Sequence, residues 1–267
     1  MVPLKEAWEL GVMRTAGRKL AEIVERLKVE VAVDMPTIDI DRMTEAAIID
    51  AGARPNFKGY KVGKAIFPCS VCISVNEQVV HGIPGKRKLK AGDLVSLDFG
   101  LVYGGYHADT AFSVVVGPAS AESLGLLDAT ERALYAGVAQ ARVGKRVGDI
   151  GHAVQSFVEP KGYGVVTQFV GHGIGRKLHE EPSVPNFGKS GTGVLLKPGM
   201  VLAIEPMITL GSGKTKVLHD AWTVVTDDGS RAAHFEHTVA ITPAGPEILT
   251  VPAQATMSGI APAASIR

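Results

Sequence analysis

A surplus of charge is the first thing this sequence lacks. Its 28 Lys and Arg stand against 27 Asp and Glu, a formal net charge of +1. That balance excludes a nucleic-acid or anionic-membrane surface built on bulk charge. The densest cluster, Lys86-Arg87-Lys88, lies in a Pro/Gly loop and reads as a solvated turn. Long apolar runs are also missing: none reaches the roughly 18–20 residues that span a bilayer. The N-terminal MVPLKEAWELGVMR mixes acids and bases and has no signal-peptide core. A cytoplasmic protein is expected. Cysteine is scarce, with only Cys69 and Cys72. Their C-x-x-C spacing suits half a zinc knuckle or a redox pair. No second pair stands at finger spacing and no thioredoxin-like context surrounds them, so the plainer reading is two small residues lining a strand start. No low-complexity linker interrupts the chain. Hydrophobic residues make up 46% of its 267 positions, enough for a real core. Residues 1–250 read as one domain, and the Pro/Ala/Ser-rich 251–267 as a flexible C-terminal tail.

Periodicity supplies the elements. Residues 4 to about 30 carry Leu10, Met13, Gly17, Leu20, Val24 and Leu27 at steps of three and four, an amphipathic helix. Pro36-Thr37 breaks it, and Thr37 or Asp39 can cap a second helix over 40–51, ended by Gly52. Residues 54–65 read as a loop, and 69–80 as strands around an Asn76-Glu77 turn. A second long helix is expected over 120–143, capped by Ser120 or Ser123, and another over 149–160, closed by Gly162. Asp39-Ile40 and Gly52 align with Asp149-Ile150 and Gly162 at one constant offset. The order long helix, short helix, strands therefore occurs twice, which predicts two similar halves in one domain. Strands are expected over 165–170, 200–210, 221–226 and 235–241.

The stretch 92–117, GDLVSLDFGLVYGGYHADTAFSVVVG, is a hairpin: two β-branched runs flank Tyr103-Gly104-Gly105. Each run carries one carboxylate, Asp98 and Asp109. Across an even-numbered loop, cross-strand partners sum to an odd number, so both carboxylates point to one face. Two carboxylates that close in apolar company repel, and a cation between them would relieve it. Two edge-strand aspartates facing water would serve as well. Further along, His172 stands among three glycines in Gly171–Gly175, His179 precedes Glu180-Glu181-Pro182, Glu205 ends an apolar run before Pro206, and Glu236 lies inside another apolar strand. Four carboxylates in core-like strands are very costly without cations. One imidazole with several carboxylates is a hard, oxygen-rich set suited to Mn(II), Fe(II), Co(II) or Zn(II). Four exceed the need of one ion and suit two ions about 3.5–4 Å apart, the pattern of a two-metal hydrolase.

These residues fall into motifs: H-G-I-P at 81–84, S-L-D at 96–98, H-A-D-T at 107–110, G-H-G-I-G at 171–175, H-E-x-P at 179–182, E-P-M at 205–207 and F-E-H-T at 235–238. The ordered set spans about residues 8–245 and resembles the methionine aminopeptidases of type I. The resemblance implies an α/β (α+β) fold of the pseudo-twofold pita-bread kind, an antiparallel curved sheet covered by two pairs of helices. It implies one catalytic domain that removes the N-terminal methionine from nascent proteins and peptides with a small second residue. Two divalent ions would be held by Asp98, Asp109, His172, Glu205 and Glu236, with Asp109 and Glu236 bridging, and a bridging hydroxide would attack the first peptide carbonyl. Glu205 would shuttle the proton, His179 would stabilise the oxyanion and His81 would contact the peptide. Tyr60, Phe67, Cys72, Leu178 and Trp222 match the methionine pocket, with His81 and His179 beside it. The implied setting is a cytoplasmic monomer that meets nascent chains, with a transient ribosome contact and no nucleic-acid or membrane partner. The remaining histidines, His107 among them, read as structural.

The chain departs from the family pattern in places. GYKVGKAIFP is longer by four residues than the usual segment, which puts an insertion at 61–66 beside the pocket. Leu178 replaces a common aromatic residue, Phe169-Val170 a common Tyr-Cys, and His234 a frequent Gln. None is a proposed ligand, so they bear on pocket shape, substrate range and rate. Two relatives compete with this reading: an Xaa-Pro peptidase, which usually carries an extra N-terminal domain, and a non-catalytic pita-bread binding protein, which loses ligands.

Overall fold

The computed structural model describes residues 2–252. All but the first two residues of the tail expected over 251–267 lie outside the described residues. Helix α1 (Ala7–Lys28) buries Met13, Gly17, Leu20, Val24 and Leu27 on one face. Its interior glycine has a packing cause: a Cβ at Gly17 would stand 2.3 Å from the Leu249 carbonyl oxygen. Helix α2 (Thr37–Asp50) starts earlier than its sequence pattern implies, with Pro36 as its cap. The reason is that Thr37 does not cap its own helix. Its hydroxyl accepts from Gly85 N (2.8 Å) and donates to Gly85 O (3.1 Å), which ties the helix start to the 81–85 turn. The small hairpin β1 (Lys61–Val62) and β2 (Ala65–Ile66) replaces part of the expected loop. Gly63 supplies the left-handed conformation its turn needs (φ +58°).

Strand β3 (Val71–Val75) leads to the hairpin of β4 (Leu94–Tyr103) and β5 (Tyr106–Val115). This hairpin turns through Gly104 and Gly105, at φ +58° and +82°. Helix α3 (Ala121–Gln140) is capped by Ser120, whose hydroxyl accepts from Ser123 N at 3.1 Å. Helix α4 (Val147–Val158) ends in a tight turn at Gly162. The later strands are β6 (Gly171–Gly173), β7 (Glu180–Val184), β8 (Val201–Ile204), β9 (Met207–Thr209), β10 (Ala232–His234) and β11 (Glu236–Thr242). The single strand expected over 200–210 is broken at Glu205-Pro206. Proline has no N–H to donate, so the ladder stops there. Beyond the break the chain joins a second sheet, where β9 pairs with β10.

Among the described residues the main sheet has nine strands, with β4, β5, β11, β8, β6 and β7 adjacent in that order, and β3 paired to β4. Its inner part reads the same from either end, because β5 and β11 meet antiparallel at the centre. The two halves repeat in detail. The cap residue of α2, Pro36, bridges Lys88, and the cap residue of α4, Arg146, bridges Leu195. Gly92 and Gly199, at φ +85° and +87°, launch β4 and β8. The expected α/β pita-bread architecture of a curved antiparallel sheet and two helix pairs is therefore present. The helices cover one face: Leu20, Ile40, Leu126 and Ile150 share a core with Leu97, Phe99, Leu101 and Phe112. The opposite face is left to build a site.

Candidate metal centre

The register of the sheet positions the acidic residues. Cys72 pairs with Asp98, Asp98 with Ala111, and Ala111 with Glu236, one row across four strands. Glu205 comes directly after Ile204, the last paired residue of β8, and stands where that row continues. The next row on the same face runs from Gly100 to Asp109, then through Thr238 and Ala203 to His172. Thr238 joins its middle: its hydroxyl accepts from Asp109 N (3.0 Å) and donates to Asp109 O (2.7 Å). Asp98 and Asp109 thus share a face, as the parity of the hairpin predicts. Small residues, Ala111 and Ala203, leave room between the acids, whereas the space over Gly100 is filled by the Asn56 side chain.

The donor atoms converge. Ligand atoms of Asp109, His172 and Glu236 all lie within 4.8 Å of one another. His172 Nε2 is 3.5 Å from Glu205 Oε1. Asp98 Oδ1, Asp109 Oδ1 and Glu236 Oε1 are buried with no hydrogen-bond partner among the described residues. Burial pushes the Asp98 carboxyl up to about 7. Burial and neighbouring acids push Asp109, Glu205 and Glu236 well above the carboxylate range. Burial holds His172 near 3, a neutral imidazole. Several like-charged groups with orphaned oxygens and a neutral imidazole form a donor set that fits divalent cations, which would satisfy the oxygens and cancel the repulsion.

These acids form one end of a cavity of about 860 Å³, measured out into its open mouth. Every residue expected to ligate, to catalyse or to hold the methionine side chain lines it. Phe67, Cys72, Leu178 and Trp222 belong to one apolar cluster at its wall, with Phe67 edge-on to Trp222 at 5.3 Å. His179 lies against His172, ring centroids 4.2 Å apart, and its Nδ1 is 2.6 Å from the Tyr60 hydroxyl. Burial lowers its pKa. His81 packs edge-on to Phe169 and Trp222 and is pushed down to about 4 by burial and by His179. Its φ of +58° is rare for a residue with a Cβ and marks a position held by its surroundings.

The cavity also takes in Phe57, Val62 and Met207, none of them among the expected site residues. Met207 does stand in the E-P-M motif, and the break after Glu205 is the available signal. Val62 is marked only by the insertion at 61–66, and Phe57 by nothing. Val62 reaches the mouth because the inserted segment folds as a hairpin. Phe169 and Val170, two of the departures from the family pattern, are both lining residues. His107 is not; its backbone N–H donates to Gly175 O at 2.8 Å. Cys69 and Cys72 are free, buried thiols.

The profile of metallopeptidase family M24 matches residues 11–243. Methionine aminopeptidase 1 of Bacillus subtilis (strain 168) is 48% identical over 250 residues, covering 94% of this chain and 99% of its own. The methionine aminopeptidase of Clostridium perfringens is 49% identical over 251 residues, with coverage of 94% and 99%. Among solved structures, methionine aminopeptidase from Rickettsia prowazekii superposes with a TM-score of 0.91 at 37% identity, covering 94% of this chain and 100% of that one. Prolidase from Pyrococcus furiosus reaches 0.75 at 22% identity, and only 65% of it is covered, a likeness of fold alone.

Proposed function

The chain belongs to metallopeptidase family M24, and from that membership and the site we infer that it removes the N-terminal methionine of polypeptides by metal-dependent hydrolysis. The observation that carries the chemistry is the set of buried acids on two adjacent sheet rows, three of whose oxygens have no partner among the described residues. Asp98, Asp109, His172, Glu205 and Glu236 would hold two divalent ions, with Asp109 and Glu236, on the two central strands, as the pair that would be shared. Bound there, the ions supply Lewis acidity and lower the pKa of a water to give a nucleophile near neutral pH.

The chain's own groups do the rest. The Glu205 carboxylate accepts a proton from the attacking water and returns it to the leaving amine. With the Tyr60 hydroxyl donating to His179 Nδ1, 2.6 Å away, the ring's proton would sit on Nε2. His179 then stabilises the oxyanion as a neutral donor. His81 contacts the peptide at the scissile bond. Phe67, Cys72, Leu178 and Trp222 take the methionine side chain, with the Cys72 thiol a polarizable neighbour for its thioether. Such a wall selects by size, at about 1–3 kcal/mol per methylene.

The finer reading rests on the same footing. The ions are Mn(II), Fe(II), Co(II) or Zn(II), which this ligand set accepts. The protein works in the cytoplasm as a monomer, as one catalytic domain over 1–250, on nascent chains with a small second residue and a transient ribosome contact. No helix among the described residues is long and apolar enough to cross a membrane, in keeping with that setting.

The test is peptide cleavage by metal-stripped protein, with and without Mn(II) or Co(II). Release of Met from Met-Ala-Ser but not from Met-Lys-Ser, only with metal, is the expected result. Cleavage of Ala-Pro-Ser instead would move the assignment to an Xaa-Pro peptidase, and cleavage unaffected by metal removal would overturn the mechanism.

A further inference from the structure

His234 lies behind the acids and is not part of the cavity wall. It ends β10 and is 2% exposed. Its backbone is pinned on both sides by one hydroxyl: His234 N donates to Ser113 Oγ, and Ser113 Oγ donates to His234 O, each at 2.9 Å. Ser113 is in turn 2.7 Å from the Ser96 hydroxyl. The main chain at His234 is therefore fixed. Its Nε2 is buried with no hydrogen-bond partner among the described residues and faces Glu205 Oε2 across 3.8 Å. The other oxygen of the same carboxylate, Oε1, is 3.5 Å from His172 Nε2. The two oxygens of Glu205 thus face two different imidazoles, one inside the proposed metal centre and one outside it.

We propose that His234 is a positioning residue: its Nε2–H donates to Glu205 Oε2 and so fixes which oxygen ligates and which carries the proton. The proposal rests on the role given to Glu205 above. A carboxylate that must both ligate and shuttle a proton has two chemically equivalent oxygens, and its terminal torsion is soft and roughly two-fold. A donor held against one of them breaks the equivalence. The proposal requires the 3.8 Å gap to close to the ordinary 2.7–3.2 Å. Nothing else among the described residues claims the Nε2 atom. An orphaned buried nitrogen is costly unless it is used.

The distinguishing variants are His234→Leu, which removes the donor and keeps the bulk, and His234→Gln, which returns an N–H. Three readouts separate positioning from filling. Calorimetric titration of stripped protein with Mn(II) or Co(II) is expected to show affinity weakened about 10–100-fold in the Leu variant, the usual effect of losing a partner of a metal ligand. Turnover of Met-Ala-Ser is expected to lose a similar factor in kcat, with KM within about twofold, and Gln is expected to restore most of both. The melting temperature of stripped His234→Leu protein is expected to hold or rise, because an unpartnered nitrogen has gone. Unchanged metal affinity and kcat in the Leu variant would overturn the proposal, as would a fall in stripped-protein stability or a Gln variant as impaired as Leu. If the wild type binds metal yet cleaves no peptide, the functional reading fails while the titration still decides the role of His234.

Discussion

The two halves of the molecule share an architecture and differ in how they furnish it. In the first half both acids, Asp98 and Asp109, sit on one long hairpin whose turn sets their register. In the second half His172, Glu205 and Glu236 come from three separate segments: a three-residue strand, the residue after a broken strand, and the start of β11. Only the second half contributes an imidazole to the proposed ligands, and it also holds His179. A duplicated scaffold can therefore keep its backbone plan while one copy specialises in chemistry. The centre lies where the copies meet, because β5 and β11 pair there.

If the halves share one centre, their equivalent acids should fail alike. Asp109→Asn and Glu236→Gln are each expected to abolish turnover beyond the roughly 10²–10³-fold cost of a single oxyanion donor, with bound metal lost by elemental analysis. In stripped protein at pH 8 both are expected to raise the melting temperature, since each removes a buried group that ionises against its neighbours as pH rises. A large difference between them would break the equivalence. The halves should part over their histidines. His179→Ala is expected to cost about 10²–10³-fold in kcat with metal retained. His81→Ala from the first half is expected to cost about tenfold or less, the worth of one hydrogen bond.

Acidity offers a milder test of the shared centre. The acids have folded pKa values above their unfolded values of about 4, so the folded state binds more protons and stability falls as pH rises towards the folded value. The histidines His81, His172 and His234, near 4, 3 and 3, act oppositely, since their stability is lost as pH falls below about 6.5. The two trends oppose each other between about pH 4 and 6.5. Above about pH 6.5 only the acids act. Stripped protein is therefore expected to lose melting temperature from about pH 6.5 to 8, and saturating Mn(II) is expected to remove that slope. The smallest effect concerns scaffold alone: Ser120→Ala, which uncaps α3, is expected to cost about 1 kcal/mol in denaturant unfolding and leave kcat unchanged.

Much of the fold and of the site is legible in the sequence, for identifiable reasons. The faces of Asp98 and Asp109 come from parity across a two-glycine turn. The repeat is visible because Asp39 and Asp149 occupy the same place in the first turns of α2 and α4. The break at Glu205 is harder to see, although Pro206 announces it, because the apolar run on both sides reads as one continuous strand. Thr37 passes for a cap because its true partner, Gly85, lies far along the chain. The pairing of Tyr60 with His179 and the approach of His234 to Glu205 are also long-range contacts. Local pattern does not encode them, and they arise only when the sheet is assembled.

The glycine turn of the central hairpin acquires a weight its position would not suggest. Loop tips on a surface ordinarily accept an extra residue. Here Asp98 lies five residues before the turn starts at Tyr103, about 17 Å away at the rise of a strand, yet if the hairpin kept its two-residue turn, a single added residue would change the parity of every pair. One aspartate would then point among the leucines and phenylalanines under the helices. Spelling errors in that loop come in two kinds: those of one letter, which dismantle the centre, and those of two, which slide one acid to the neighbouring row. The turn holds no catalytic group and touches no substrate, but it is the reading frame of the active site.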